Sequence, residues 1–273
     1  MSKESSTPPS AIGICLTIAA LLLSLALATW LCLQGRRSSL LPSKPRTVEQ
    51  VLTALGPVVE GRIRPAFDRA RVKWPPRPLT LLALKAERRL EVYAVADTGK
   101  PHLTLEYPIL AASGTSGPKD REGDNQVPEG FYRVELLNPN SRYHLSLRVN
   151  YPNADDFARA RENRRDISTL GGDIMIHGGA RSAGCLAVGD PAVEDLFVLV
   201  AASGLDNVEL IVAPFDFRRE TPANVLTGNP AAIAELYGRL TRALEKFPLL
   251  HPIVGDLHAE RKGLDNPDGP YAE

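Results

Sequence analysis

From Ala11 to Leu33 the chain carries no charged side chain, a run long enough to cross a bilayer as a single helix. Such a segment cannot share a water-facing core with its surroundings, so it divides the sequence. Residues 1–10, rich in Ser and Pro, are expected to be a disordered N-terminus, and everything after Leu33 has to build its own core. A cleaved signal segment is the competing reading, because Ala26-Leu27-Ala28 has the small-x-small pattern of a cleavage site. The length of the run and its continuation through Trp30-Leu31-Cys32-Leu33 favour a retained anchor, with Cys15 and Cys32 inert in lipid. Lys3 is the only basic side chain before the run, whereas Arg36, Arg37, Lys44 and Arg46 follow it. That bias points the C-terminal part towards the cytoplasm.

Residues 34–77 read as a polar linker and a helical lead-in. Thr47-Val48-Glu49-Gln50 has the form of a capping box, followed by Val48, Val51, Leu52 and Leu55 on one helical face. Gly56-Pro57 is expected to interrupt this helix, with Val58, Ile63, Phe67 and Ala70 on a second piece. From Pro78 the texture changes to short apolar runs. Strands are expected at Thr80–Leu84, Leu90–Ala96, Leu103–Tyr107, Phe131–Leu137, Tyr143–Val149, Asp173–His177, Cys185–Val188 and Val208–Val212. With 23 prolines and 21 glycines, the pattern favours a turn-rich α+β fold, a β-rich sandwich or barrel over residues 78–216, rather than a helical bundle. Asp190-Pro191 predicts a helix with Asp190 as N-cap and Gly204 as the stop. Asn229-Pro230 predicts another, carrying Ile233, Leu236, Tyr237, Leu240 and Leu244 and ending at Pro248, within a helical extension over 217–250. Residues 251–273 are expected to be a disordered tail. Lys+Arg 32 against Asp+Glu 32 leaves no net charge, so no broad basic face for nucleic acid is implied.

Chemistry concentrates in Ile174-Met175-Ile176-His177-Gly178-Gly179-Ala180-Arg181-Ser182-Ala183-Gly184-Cys185-Leu186-Ala187-Val188. Two strand-like runs flank a glycine-dense loop holding one His and the only Cys outside the apolar N-terminus. A thiol is a strong nucleophile as its thiolate, and a nearby imidazole favours that form. Glycines leave amide N–H groups free to face a developing oxyanion. The bland alternative, a buried small Cys and a satisfied core His, stays open on spacing alone. A zinc site fails on ligand count, since His177 and Cys185 have no Cys/His cluster around them.

The motif His177-Gly178 … Ser182-x-Gly184-Cys185 resembles the signature of the L,D-transpeptidase catalytic domain family of the YkuD type, in particular its YafK-like branch. The resemblance continues, in order, through Gly117-Pro118-Lys119 … Glu122-Gly123-Asp124 and Val127-Pro128-Glu129-Gly130-Phe131-Tyr132. Further blocks are Leu137-Asn138-Pro139-Asn140-Ser141, Tyr151-Pro152-Asn153 and Pro214-Phe215, so that it covers roughly Arg46 to Phe247. It implies a β-dominated catalytic domain with flanking helices, acting on peptidoglycan stem peptides outside the cytoplasmic membrane, without metal or cofactor.

By that resemblance Cys185 is the nucleophile and His177 the base, with the Gly178 carbonyl holding the imidazole in the productive tautomer. The amides of Gly184 and Cys185 make the oxyanion hole. Ser182 shapes the loop or touches substrate, and Arg181, Lys119 and Tyr151 join it as substrate-binding candidates, Lys119 with Arg121 as grips for a carboxylate. An amine acceptor, on another stem peptide or on a lysine of a murein-linked lipoprotein, gives transpeptidation; water gives hydrolysis. The segment between His177 and Cys185 is shorter than in the main branch. Ala183 and Ala187 stand where many members have His and Arg, which favours the hydrolase reading. An inactive murein-binding scaffold is the non-enzymatic alternative. A murein substrate requires the domain in the periplasm, tethered to the inner membrane or released near Ala28, against the Arg36/Arg37 bias.

Overall fold

The computed structural model describes residues 45–219 and 231–249, together with Ser24, Leu25, Leu27 and Thr29. The expected disordered ends, most of the apolar run and the cleavage pattern lie outside these residues. Among the described residues no helix is long and apolar enough to cross a membrane. The chain divides into two units, Met1–Pro45 and Arg46–Glu273, and the second holds the fold.

This unit opens with helix α1, Val48–Arg69. Thr47 accepts from the Gln50 amide and the Gln50 side chain accepts from the Thr47 amide, so the expected capping box forms. The expected break at Gly56-Pro57 does not occur: one helix runs through both Pro57 and Pro65. Its stripe Val51, Val59, Ile63 and Phe67 is almost wholly buried. Burying such side chains is worth about 1.5–3 kcal/mol each, which over the four of them offsets a cost of about 3 kcal/mol for each of the two interior prolines.

Strands β1 (Leu79–Leu84), β2 (Arg89–Val95) and β3 (Pro101–Pro108) form an antiparallel meander. Short β4 (Ala111–Ala112) precedes the long polar loop, and β5 (Gly130–Ser141) and β6 (His144–Val149) make a hairpin. Helix α2 (Ala154–Glu162) follows, then β7 (Met175–His177), β8 (Leu186–Ala187), helix α3 (Asp190–Ser203), β9 (Val208–Ala213) and helix α4 (Ala231–Leu244). The strands join in the single order β3-β2-β1-β9-β5-β6-β7-β8-β4. The fold is thus mixed α+β, and its two halves are joined in one nine-stranded order. The reason is β5: its first residues pair with β9 and its later ones with β6, so one strand serves both halves.

One apolar cluster takes Leu81, Leu90 and Leu210 from one half, Leu147, Ile176 and Leu186 from the other, and Leu196 and Leu199 from α3. A second cluster seats Leu236, Tyr237, Leu240 and Leu244 of α4 on Leu82, Tyr93, Ile211 and Phe215. The C-terminal helix is therefore part of the core and not an appended extension. Gly189, not Asp190, caps α3, because the Asp190 carboxylate is turned away to accept from the Gly179 amide at 2.8 Å.

Candidate active site

β7 and β8 are parallel neighbours, with Ile176 opposite Leu186 and His177 opposite Ala187. Side chains alternate along a strand, so Ile176 and Leu186 enter the core while Met175, His177, Cys185 and Ala187 take the other face. His177 and Cys185 therefore project to the same face of neighbouring strands, Cys185 from the residue just before β8. The connecting loop is pinned at its base, where Val188 N–H donates to the His177 carbonyl at 2.9 Å and Gly189 N–H to that of Gly179 at 3.0 Å. Gly178 has no room for a side chain: a Cβ there would lie 2.4 Å from Asp190 Oδ1 and 2.6 Å from the Tyr143 carbonyl.

His177 is buried, and its Nδ1 lies 2.6 Å from the Gly178 carbonyl oxygen. A carbonyl only accepts, so Nδ1 carries the proton and Nε2 keeps its lone pair. Burial pushes the imidazole pKa below its ordinary value, against a smaller upward pull from that carbonyl. Tyr143, in the β5–β6 turn, stacks on the ring at 4.4 Å and 22°, covering the base from solvent. Its neighbour His144 turns through a positive φ of 71° and meets Glu194 of α3 at 2.8 Å.

Cys185 is half-buried and unpaired. Its Sγ lies 3.8 Å from the Asp173 carbonyl oxygen. Burial pushes the thiol pKa up; the Met175 amide opposes this, the Asp173 carboxylate adds to it, and the Lys119 charge pulls the other way. At neutral pH both groups are uncharged: a protonated thiol beside a neutral imidazole.

The two amides expected to receive the oxyanion already have partners. Gly184 N–H donates to Ser113 Oγ at 2.6 Å, and Cys185 N–H to Ser182 Oγ at 3.2 Å. Ser182 Oγ donates back to the Cys185 carbonyl at 2.6 Å and lies 3.2 Å from Ser113 Oγ. The Ser182 side chain thus bonds both the amide and the carbonyl of Cys185. Arg181 is exposed at the loop tip.

Two of the substrate-binding candidates, Tyr151 and Lys119, are buried and hydrogen-bonded within the protein. Tyr151 is 4% exposed, sits in the main core beside Tyr132, and donates to the Leu170 carbonyl at 3.3 Å. Lys119 is 5% exposed, its ammonium spent on the Arg121 carbonyl at 2.7 Å and Asp124 Oδ1 at 2.5 Å. It acts on the thiol only as a nearby charge. Asp124 also accepts from the amides of Asp120, Arg121 and Gln126. Burial alone would raise its pKa, but Lys119 and these amides hold it below the ordinary carboxylate value. The loop is thus a folded knot rather than a loose strap. It rests against the nucleophile loop, with the Gln126 carbonyl 3.5 Å from where a Cβ on Gly184 would be.

The base of that knot is a buried ion pair. Lys85 Nζ donates to Glu129 Oε1 at 2.9 Å and to the carbonyls of Thr115 and Val127 at 2.9 and 3.0 Å. Glu129 accepts in addition from Gly117 N–H at 2.9 Å and from Tyr237 O–H of α4 at 2.8 Å. Burial pushes the Lys85 pKa down, against the pull of Glu129, and the full ring of partners is what keeps the pair in place. Thr115, Asp124, Gln126 and Arg165 line an open cleft of about 460 Å³ on this side. A larger one, about 680 Å³, is lined by Thr80, Tyr132, Asn153 and Glu209; none of the expected site residues lines it, so its size carries no chemistry.

Among the described residues no group of three or more His, Cys, Asp or Glu side chains is placed to hold a metal. Ser113, Tyr143 and Asp173 carry no site signal in the sequence, and Asp190 reads there only as a helix cap. Each is a common residue in a turn or at a strand end, and only the paired strands bring them to the thiol and imidazole.

Over 154 residues the chain is 35% identical to the Escherichia coli (strain K12) protein named "Putative L,D-transpeptidase YafK", covering 54% of this chain and 57% of that protein. The Escherichia coli O157:H7 protein of the same name matches equally. The chain thus matches little more than half the length of these relatives. Among solved structures it is similar to the helical cell shape determining protein Pgp2 from Campylobacter jejuni, at TM-score 0.41 and 23% identity, covering 56% of this chain and 54% of that one. It is also similar to Bdellovibrio bacteriovorus Bd1075, at TM-score 0.37 and 20% identity, covering 54% of this chain and 52% of that one. The L,D-transpeptidase catalytic domain (YkuD) model matches residues 80–223, more than half of the chain and the whole stretch from β1 through the His177/Cys185 pair, and the chain belongs to that family.

Proposed function

We propose that the protein is a cysteine acyltransferase acting on peptidoglycan stem peptides, with Cys185 as nucleophile and His177 as its base. The observation that carries this reading is the hydrogen bond from His177 Nδ1 to the Gly178 carbonyl, which leaves the Nε2 lone pair as proton acceptor on the face that Cys185 shares. The thiol leaves the Asp173 carbonyl and gives its proton to Nε2 as the sulfur attacks the carbonyl carbon of the L,D-amide at the diaminopimelate residue. The tetrahedral intermediate collapses, His177 returns the proton to the departing amine, and the terminal D-amino acid leaves a thioester on Cys185. An acceptor amine, losing its proton to His177, then takes the acyl group and releases the thiol.

Water in place of the amine makes the same site a hydrolase. Ala187, whose methyl group is fully buried beside His177, favours that second reading by leaving few polar groups around the sulfur to hold a donor. The substrate sets the location: the domain works in the periplasm, with the apolar run near the N-terminus as its tether. A reporter fused after Glu273 that is active only in the cytoplasm would overturn that placement.

The deciding experiment incubates the full chain and its Cys185→Ala variant with purified muropeptides, with products read by mass spectrometry. Crosslinked dimers from the unsubstituted protein alone support transfer, and loss of a residue without dimers supports hydrolysis. Identical spectra for the two proteins would remove the enzymatic reading and leave the inactive scaffold.

A further inference from the structure

Each hydroxyl of the Ser113–Ser182 pair has one proton to give. The Ser182 proton goes to the Cys185 carbonyl at 2.6 Å. The Ser182 oxygen accepts from the amides of Cys185 and Ser113 at 3.2 and 3.4 Å and lies 3.2 Å from Ser113 Oγ, while the Ser113 oxygen accepts the Gly184 amide at 2.6 Å. That amide sits one residue before the nucleophile, on a glycine held at a φ of 105°, a backbone conformation that L side chains rarely adopt. The Ser113 oxygen thus occupies the place where an acyl oxygen would be received by the Gly184 N–H. An amide that faced a cleft empty would carry an unsatisfied donor; here a neighbouring hydroxyl satisfies it.

We propose that Ser113 is a positioning residue that governs entry to the oxyanion site: its hydroxyl holds the Gly184 amide while no substrate is bound, and swings away to yield that N–H when an acyl carbonyl reaches Cys185. The inference rests on the acyl-transfer reading of Cys185. It follows directly β4, whose Ala111 and Ala112 pair with Ala187 and Leu186 of β8, so its backbone is fixed and rotation about χ1 is the motion available. Ser113 carries no Cβ branch to hinder that rotation, whereas Thr in its place would be stiff at χ1.

The test separates two reactions of the same sulfur in the full-length protein. Alkylation by iodoacetamide displaces iodide and forms no oxyanion; acylation by a carbapenem opens a lactam carbonyl and does. Ser113→Ala is expected to leave alkylation of Cys185 within about twofold and to speed acylation by about three- to tenfold, the equivalent of one competing hydrogen bond removed. Ser113→Thr, which keeps the hydroxyl, is expected to slow acylation with alkylation again unchanged, and it supplies the test should the alanine variant not fold. A brace or a direct oxyanion donor at this position predicts the opposite sign, so Ser113→Ala acylated more slowly than, or as fast as, the unsubstituted protein overturns the proposal. An unsubstituted protein that is alkylated but never acylated removes the acyl-transfer reading itself, and the proposal falls with it.

Discussion

The sulfur of Cys185 and the ring of His177 are both held uncharged, the first by a pKa raised and the second by a pKa lowered through burial. A preformed thiolate–imidazolium pair would give alkylation a plateau on the acid side of neutrality. Here the raised thiol pKa means that reactivity falls as pH drops, with no such plateau. Alkylation of Cys185 by iodoacetamide, followed from about pH 5 to 10, is expected to rise steadily and be steepest above the ordinary thiol value of about 8.5. Beside the base, Gly178 meets Asp190 Oδ1 and the Tyr143 carbonyl at distances no Cβ tolerates. Gly178→Ala is expected to cost about 1–3 kcal/mol by overpacking, seen as a lower thermal midpoint, and to reduce acyl transfer by displacing the carbonyl that fixes the imidazole.

Among the elements, α1 departs most from what periodicity suggested, and the Lys119–Asp124 loop is the most tightly bonded of the irregular segments at the site. α1 survives Pro57 because Val59, Ile63 and Phe67 continue its buried face; Phe67→Ala is expected to destabilise the fold by about 3–5 kcal/mol, read from chemical denaturation. The loop is polar in sequence, yet Asp124 organises it with three backbone amides and Lys119. Its carboxyl pKa is depressed on folding, so its contribution is complete above about pH 4 and is lost as pH falls through the folded value. Asp124→Asn is expected to loosen the segment at all pH values, as faster hydrogen exchange between Gly117 and Gln126. The strands and the His/Cys motif were legible because alternation and a small-residue loop are local signals. α2 was missed although its Asn153 and Asp156 form a capping box, since the helix is short and its only large apolar side chain is Phe157. Long-range pairings such as Ser113 with Gly184 leave no local mark at all.

Across the whole molecule, the sheet is continuous because β5 serves both halves, and α4 closes its outer face through the second apolar cluster. Sequence set α4 apart as an extension because a helix after a linker has no local sign of its target; its apolar face matches Leu82, Tyr93 and Ile211 only once the sheet exists. Tyr237 then supplies the last donor to Glu129, at 2.8 Å. Tyr237→Phe leaves one carboxylate oxygen without that donor, and is expected to cost about 1–3 kcal/mol, measured by denaturation, and to slow acyl transfer more than it slows alkylation. Because the ribosome makes Tyr237 long after Cys185, a prematurely terminated chain would hold its sulfur and imidazole beside an unfinished scaffold. The ring of donors around Glu129 would then be closed only once α4 had been made.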